Sequence, residues 1–330
     1  MSTEQGQPTL RDVADEREFT IGAAIDPDSL RRDPSYWKTA SSEFNAVTPE
    51  NALKMGPLRP SRHTYDFRDA DAIVDFGREN DMYVRGHTLV WHNQKPDWFQ
   101  AWDHTDEQIE AFLRNHIHTV AGRYRATIDA WDVVNEAVDD DGSTRRTVWS
   151  DAMGEGYIAD AFRWADEVTN ADLYYNDYGA DEVNEKSDAI YDLLERLLER
   201  DVPIDGVGLQ LHALADHPDP ESIAENIERF RALGLDVQIT EMDVAFPDDD
   251  VPADAAERQA DYYRAVVEAC LEAGCETIVT WGVHDGSTWL RSFKDFGERY
   301  SGDPLLFDDR YERKPAYRAV RNALEKHRER

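Results

Sequence analysis

Ala130-Trp131-Asp132-Val133-Val134-Asn135-Glu136-Ala137 reads as a strand that closes on an amide and a carboxylate. Apolar and β-branched residues dominate it, as a pleated, buried segment requires. A buried strand has little reason to finish on an acid unless that acid faces a polar cavity, because an unpaired carboxylate in apolar surroundings is costly. A second strand, Val237-Gln238-Ile239-Thr240-Glu241-Met242-Asp243, ends the same way roughly a hundred residues on, a separation typical of barrel halves. What Glu136 and Glu241 do depends on whether the fold brings them together.

Working outward, strand-like runs alternate with helical ones along the whole chain. Strands are expected at Phe19 to Ile25, Asn45 to Thr48, Tyr83 to His87, Asp172 to Tyr175, Gly206 to Leu211 and Thr277 to Trp281, beside the two above. Between them, apolar residues recur at helical period, as in Ile109, Phe112, Leu113 and Val120 behind a Thr105 to Gln108 capping box. Other helices are expected over Asp181 to Glu199, over Glu221 to Leu233 closed by Gly234, and from Pro315 to the end. Eight strand-helix repeats predict an α/β fold of the (β/α)8 TIM barrel class. A single catalytic domain over 19–330 follows an N-terminal extension over 1–18. The rival, a doubly wound sheet, requires a Gly-rich phosphate turn after its first strand, and the Ala-Ala-Ile-Asp after Gly22 does not supply one.

Composition narrows the partners. The chain of 330 residues carries 36 basic and 69 acidic side chains, a formal net charge of −33, which repels nucleic acid and anionic membrane. Lysine is scarce (Lys38, Lys54, Lys95, Lys186, Lys294, Lys314 and Lys326). Such an acid-rich, lysine-poor surface predicts a halophilic source, where concentrated counterions screen the self-repulsion. No apolar run approaches a membrane span, and residues 1–18 are polar. The expectation is a cytoplasmic protein, or a secreted one if a leader has been removed. Composition leaves oligomeric state open. Cys270 and Cys275 read as small buried hydrophobes, with a local bridge left open, and no zinc spacing is present.

Polar and aromatic residues gather where the strands end: Glu50, Asn51 and Lys54; His87 and Trp91; Asn135 and Glu136; Asn176 and Tyr178; Gln210 and His212; Glu241 and Asp243; Trp281 and Trp289. In a barrel these points ring one mouth, where active sites of this fold lie. A lone histidine is usually structural and a lone tryptophan usually core, but seven of the eight strands end in this way. A facing pair of glutamates is what glycosidic-bond hydrolysis needs. The strings VTPENALKM, RGHTLVWH, WDVVNEA, NDYG, GLQLH, ITEMDV and WGVHDGSTWL, in that order, resemble the successive strand-end motifs of glycoside hydrolase family 10, the endo-β-1,4-xylanases. That resemblance implies a retaining double displacement on xylan or xylo-oligosaccharides, with Glu136 as acid/base and Glu241 as nucleophile. It further implies that Glu50, Asn51, Lys54, His87, Trp91, Asn135, Gln210, His212, Trp281 and Trp289 line the glycone side, and that Asn176 and Tyr178 lie towards the leaving group. Many members of the family carry a disulfide near the positions of Cys270 and Cys275.

The residue types support those roles. Retention needs carboxyls about 5 to 5.5 Å apart. Glu241 must be ionised, and His212 and Gln210 can donate to it while Asp243, on the same strand face, orients the imidazole. Glu136 must hold its proton until donation, so partial burial and the neighbouring carboxylate are expected to raise its pKa. Asn135 can bind the sugar 2-hydroxyl, and indoles crowding the C5 edge favour xylose, which has no hydroxymethyl there. Asp139-Asp140-Asp141 and Asp248-Asp249-Asp250 read as solvated acidic loops, and His116 and His118 do not share a helix face. His87, His92, His212 and His284 could hold a metal in a different barrel. The carboxylate pair explains the site with neither metal nor cofactor. Two other readings are a related β-glycanase of cellulase or mannanase type and a non-catalytic carbohydrate-binding barrel.

Overall fold

The computed structural model describes residues 7–214, 217–247, 251–291, 300–301 and 303–326. Eight parallel strands close on themselves: β1 (Thr20–Ile25), β2 (Ala46–Pro49), β3 (Tyr83–Val90), β4 (Ala130–Asn135), β5 (Asp172–Asp177), β6 (Gly206–Leu209), β7 (Asp236–Pro247) and β8 (Thr277–Thr280). Each pairs with the next, and β8 pairs back onto β1 through Thr20↔Thr277 to Ala23↔Thr280. This is the expected (β/α)8 barrel. Its strands are buried on both faces, which is why they read as near-continuous apolar runs.

Inside the barrel the packing is partly ionic. Arg85 on β3 is 1% exposed and forms an ion pair with Asp132 on β4, while its Nη1 donates to Gln238 Oε1 at 2.7 Å. A buried charge persists only when paired in this way. Beside that pair, β6 supplies glycines where side chains from its neighbour enter. A Cβ on Gly206 would sit 2.2 Å from the Tyr174 ring, and one on Gly208 would sit 2.3 Å from Asn176 Oδ1. The backbone of β6 therefore makes room for two side chains that β5 sends inward, Asn176 at the mouth and Tyr174 towards the opposite end, where its hydroxyl donates to Asp236 at the start of β7.

The surrounding helices obey their caps. Thr105 and Gln108 form the expected capping box on the helix Asp106–Arg123, which buries Ile109, Phe112, Leu113, Ile117 and Val120. The helix expected from Asp181 instead starts after the Asn184 cap, as Glu185–Leu198, and frees Asp181 to accept from the Leu211 N–H at 2.8 Å. Short helices over Met55–Leu58, Asp97–Gln100 and Val148–Met153 lie in the connections between these elements. Within the expected N-terminal extension, the helix Leu10–Asp15 buries Leu10, Val13 and Ala14 in the common core. Glu43 ties it there, accepting from the Leu10 N–H, the Tyr317 hydroxyl and Arg313. Tyr317 belongs to the helix Pro315–Lys326, so the first and last described helices pack together against the core. Cys270 and Cys275 are free, buried thiols. Among the described residues no helix is long and apolar enough to cross a membrane.

Candidate active site

The strand exits share one end of the barrel. Register pairs Asn135 with Asn176, and a short strand, His212–Leu214, runs beside β7 with His212 opposite Asp243. Glu136 follows β4 with φ of 57°, a left-handed conformation that costs a non-glycine residue about 1–3 kcal/mol. Its N–H donates to the Asn176 carbonyl at 2.8 Å. This turn aims the carboxyl across the mouth instead of letting it alternate outward along the strand. On the opposite wall, a register shift between Ile239 and Met242 in β7 re-aims Glu241.

One chain of amide donors joins the two acids. Glu136 Oε1 accepts from Asn135 Nδ2 at 3.1 Å and from Gln210 Nε2 at 3.1 Å. Asn135 Oδ1 accepts from Asn176 Nδ2 at 2.8 Å, and that nitrogen also donates to Glu241 Oε1 at 2.9 Å. Asn176 Oδ1 in turn accepts from the Thr240 hydroxyl at 2.7 Å. The other oxygen of Glu136 accepts from Trp91 Nε1 at 2.7 Å and lies 3.7 Å from His92 Nδ1.

Glu241 is surrounded by positive charge. Its Oε2 lies 3.3 Å from His212 Nε2, and its Oε1 lies 3.9 Å from His87 Nδ1. Asp243 Oδ1 sits 3.1 Å from His212 Nδ1, while Asp243 Oδ2 accepts from Trp289 Nε1 at 2.7 Å. On the other side, His87 Nδ1 is 2.9 Å from Asp132 Oδ2. Burial alone would push the His212 imidazole down, but the Asp243 and Glu241 carboxylates raise it to about 10. Burial likewise pushes Glu241 up. The His212 hydrogen bond, with the charges of His87, His212 and Lys54, outweighs it and holds Glu241 below the ordinary carboxylate range. Glu241 is thus kept ionised.

A further wall of the mouth is built around Lys54. Its Nζ donates to Asn51 Oδ1 at 3.0 Å and lies 4.9 Å from the Trp91 ring and 5.7 Å from the Trp281 ring. Asn51 Nδ2 donates to Glu50 Oε1 at 3.1 Å. Burial raises Glu50 to about 7 despite the neighbouring Lys54 charge. Trp281 packs edge-on against His87, with centroids 5.2 Å apart, and Trp289 lies 5.0 Å from the His212 ring.

The structure corrects three expectations. Asn176, expected towards the leaving group, is wholly buried beneath the carboxylate pair and donates to Glu241. Gln210, expected as a donor to Glu241, gives its side-chain N–H to Glu136 and supplies only its backbone carbonyl to the Glu241 N–H at 3.0 Å. Asp139-Asp140-Asp141 is not a merely solvated loop: Asp139 pairs with Arg145 at 3.1 Å, Asp140 accepts from the Tyr178 hydroxyl at 2.7 Å, and Asp141 holds Ser143. Asp248-Asp249-Asp250 lies outside the described residues. Three residues that the sequence did not assign to the carboxylate site also converge here. Asp132 orients His87, Gln94 donates to Asn51 at 3.2 Å, and His92 faces Glu136. Asp132 carried a readable signal, a charge in the middle of an apolar strand.

A sequence profile described as "Glycosyl hydrolase family 10" matches residues 9–323. Endo-1,4-beta-xylanase B of Thermotoga neapolitana is 39% identical over 321 residues, covering 96% of this chain and 91% of that protein. Beta-1,4-xylanase of Dictyoglomus thermophilum is 41% identical over 324 residues, covering 94% of this chain and 89% of that protein. The crystal structure of xylanase 10B from Thermotoga petrophila RKU-1 in complex with xylobiose superposes with a TM-score of 0.93 at 38% identity, covering 98% of this chain and 99% of that one. With its barrel, its paired acids and these likenesses, the chain belongs to glycosyl hydrolase family 10.

Proposed function

We propose that this chain is an endo-1,4-β-xylanase, a retaining hydrolase of internal β-1,4 links in xylan and xylo-oligosaccharides, in which Glu241 is the nucleophile and Glu136 the acid/base. The observation that carries the residue roles is the single amide chain joining the two acids, with two histidines on Glu241 and an indole N–H on Glu136. In the first step a Glu241 oxygen attacks the anomeric carbon. The bond to the leaving sugar breaks as Glu136 gives its proton to the departing oxygen, leaving a glycosyl ester on Glu241. In the second step Glu136 takes a proton from water, whose oxygen attacks the same carbon from the vacated side and releases Glu241. Inversion twice gives retention. Asn135, at the junction of both acids, is placed to meet the 2-hydroxyl of the sugar between them. Trp91, Trp281 and Lys54 wall the glycone side, and their bulk favours a ring without a hydroxymethyl at C5.

The test is hydrolysis of xylan, cellulose and mannan by the wild type, and of aryl xylobiosides by the wild type, Glu136→Ala and Glu241→Ala. Xylan is expected to be the preferred polymer and Glu241→Ala to be nearly inactive. Glu136→Ala should keep most of its kcat/KM only where the leaving group departs unaided, with kcat falling there too because water has lost its base. Preference for cellulose or mannan contradicts the substrate, and absence of turnover in all three proteins leaves a binding protein.

A further inference from the structure

The loop after Glu136 returns under itself and delivers Arg145, whose guanidinium is mostly buried, to the underside of the acid's turn. Its Nε donates to the Glu136 carbonyl at 2.9 Å and its Nη2 to the Val138 carbonyl at 3.1 Å. The Arg145 N–H itself donates to the Ala137 carbonyl at 2.7 Å. One residue thereby fixes three successive carbonyls beginning at the left-handed Glu136. The same Nη2 reaches the Tyr178 hydroxyl at 2.9 Å, and Nη1 pairs with Asp139 at 3.1 Å. The Tyr178 ring is held independently. Its hydroxyl donates to Asp140, and Lys186 Nζ lies 3.4 Å from its centroid while pairing with Asp177 at 3.0 Å. A planar five-donor fork suits this task, because the acceptors lie in different directions and a point charge cannot meet them together.

We infer that Arg145 is a positioning residue for the leaving-group half of the reaction, setting the Glu136 carboxyl and the Tyr178 ring in one register. Proton delivery then meets the departing oxygen of a sugar seated against Tyr178. This rests on Glu136 being the acid. Arg145 acts through Glu136 and Tyr178, and its removal weakens protonation of the leaving group while attack by Glu241 is preserved.

The experiment measures kcat/KM on aryl β-xylobiosides with leaving groups from dinitrophenolate to unsubstituted phenolate, for the wild type, Arg145→Gln, Arg145→Lys, Tyr178→Phe and Glu136→Ala. The Glu136→Ala deficit is expected to grow steeply as the leaving group becomes more basic. Arg145→Gln should follow the same trend less steeply, losing roughly 10- to 100-fold on the phenyl substrate and under about threefold on the dinitrophenyl one, within the ~10²–10⁴-fold scale of general-acid catalysis. Arg145→Lys should fail to restore the wild-type slope. An equal loss on every substrate for Arg145→Gln, or none, beside a steep Glu136→Ala series overturns the proposal and leaves a structural arginine. A flat Glu136→Ala series overturns the acid assignment, and the proposal with it. If Arg145→Gln does not fold, Tyr178→Phe, which keeps the ring and deletes one acceptor of the fork, decides the matter. A steeper slope supports positioning, and a parallel loss refutes it.

Discussion

Replacing Asp243 with asparagine removes the anion behind His212 with almost no change in volume. The imidazole stands at about 10 against an ordinary 6.5. At 1.36 kcal/mol per pKa unit that gap corresponds to ~5 kcal/mol favouring the charged form, shared between Asp243 and Glu241. Loss of Asp243 leaves His212 largely neutral at pH 8, and Glu241 exchanges a charge-assisted donor for a neutral one. Hydrogen bonds to charged groups contribute about 1.5–3 kcal/mol, so kcat/KM should fall roughly 10- to 150-fold. The sign with pH follows. Glu241 is depressed by its partners, so its ionised form persists to low pH in the wild type. His212 regains its proton at acid pH even without Asp243, so the acidic limb is kept and the variant's kcat/KM falls away on the alkaline side, where the wild type still holds an imidazolium. The stability that His212 lends is fully present below 6.5 and fades as pH rises towards 10, so wild-type Tm should fall over that window more than the variant's. Imidazole nitrogen shifts by NMR and the pH profile on a dinitrophenyl xylobioside are the assays. A wild-type His212 that titrates near 6.5, or an alkaline limb that does not move to lower pH in Asp243→Asn, refutes the reasoning.

Glu50, raised to about 7 by burial, destabilises the folded protein once ionised, so the penalty appears above pH 4.5 and is complete above 7. Glu50→Gln should therefore be more stable than the wild type at pH 8, by about 3 kcal/mol and with a higher Tm, with little gain at pH 4, while raising KM for xylan. Gly208→Ala drives a methyl to 2.3 Å from Asn176 Oδ1 and 2.8 Å from Thr240 Cγ2. It should cost about 1–3 kcal/mol in urea unfolding and lower kcat by displacing the donor that joins the two acids. With a net charge of −33, the protein should melt at higher temperature in molar salt than at low ionic strength, and a lower midpoint in molar salt sinks the halophilic expectation.

The barrel was legible because each strand is a buried apolar run closed by polar residues, a pattern that survives without knowledge of packing. Glu136, Glu241, His212 and Asp243 were legible because each departs from that pattern at a strand end. Asn176 was not. Its type suits either a sugar or a neighbouring carboxylate, and only the space left by Gly208 decides that it turns inward. Arg145 was hidden for a different reason. In a chain with 69 acidic residues, one arginine after an aspartate run looks like ordinary surface neutralisation, and its contacts are mostly with backbone carbonyls, which leave no mark on side-chain patterns. The helix Leu10–Asp15 was obscured because Leu10, Val13 and Ala14 form too short an apolar stripe to stand out among polar neighbours.

The division of labour between the two glutamates is tested most directly by trapping. The wild type is incubated with a dinitrophenyl 2-fluoro-xylobioside, which slows release of the glycosyl ester, and the proteolytic peptides are weighed. The expected result is one fluoroxylobiosyl group per chain, on the peptide carrying Glu241, in step with loss of activity. A label on Glu136, or inactivation with the Glu241 peptide unmodified, contradicts it.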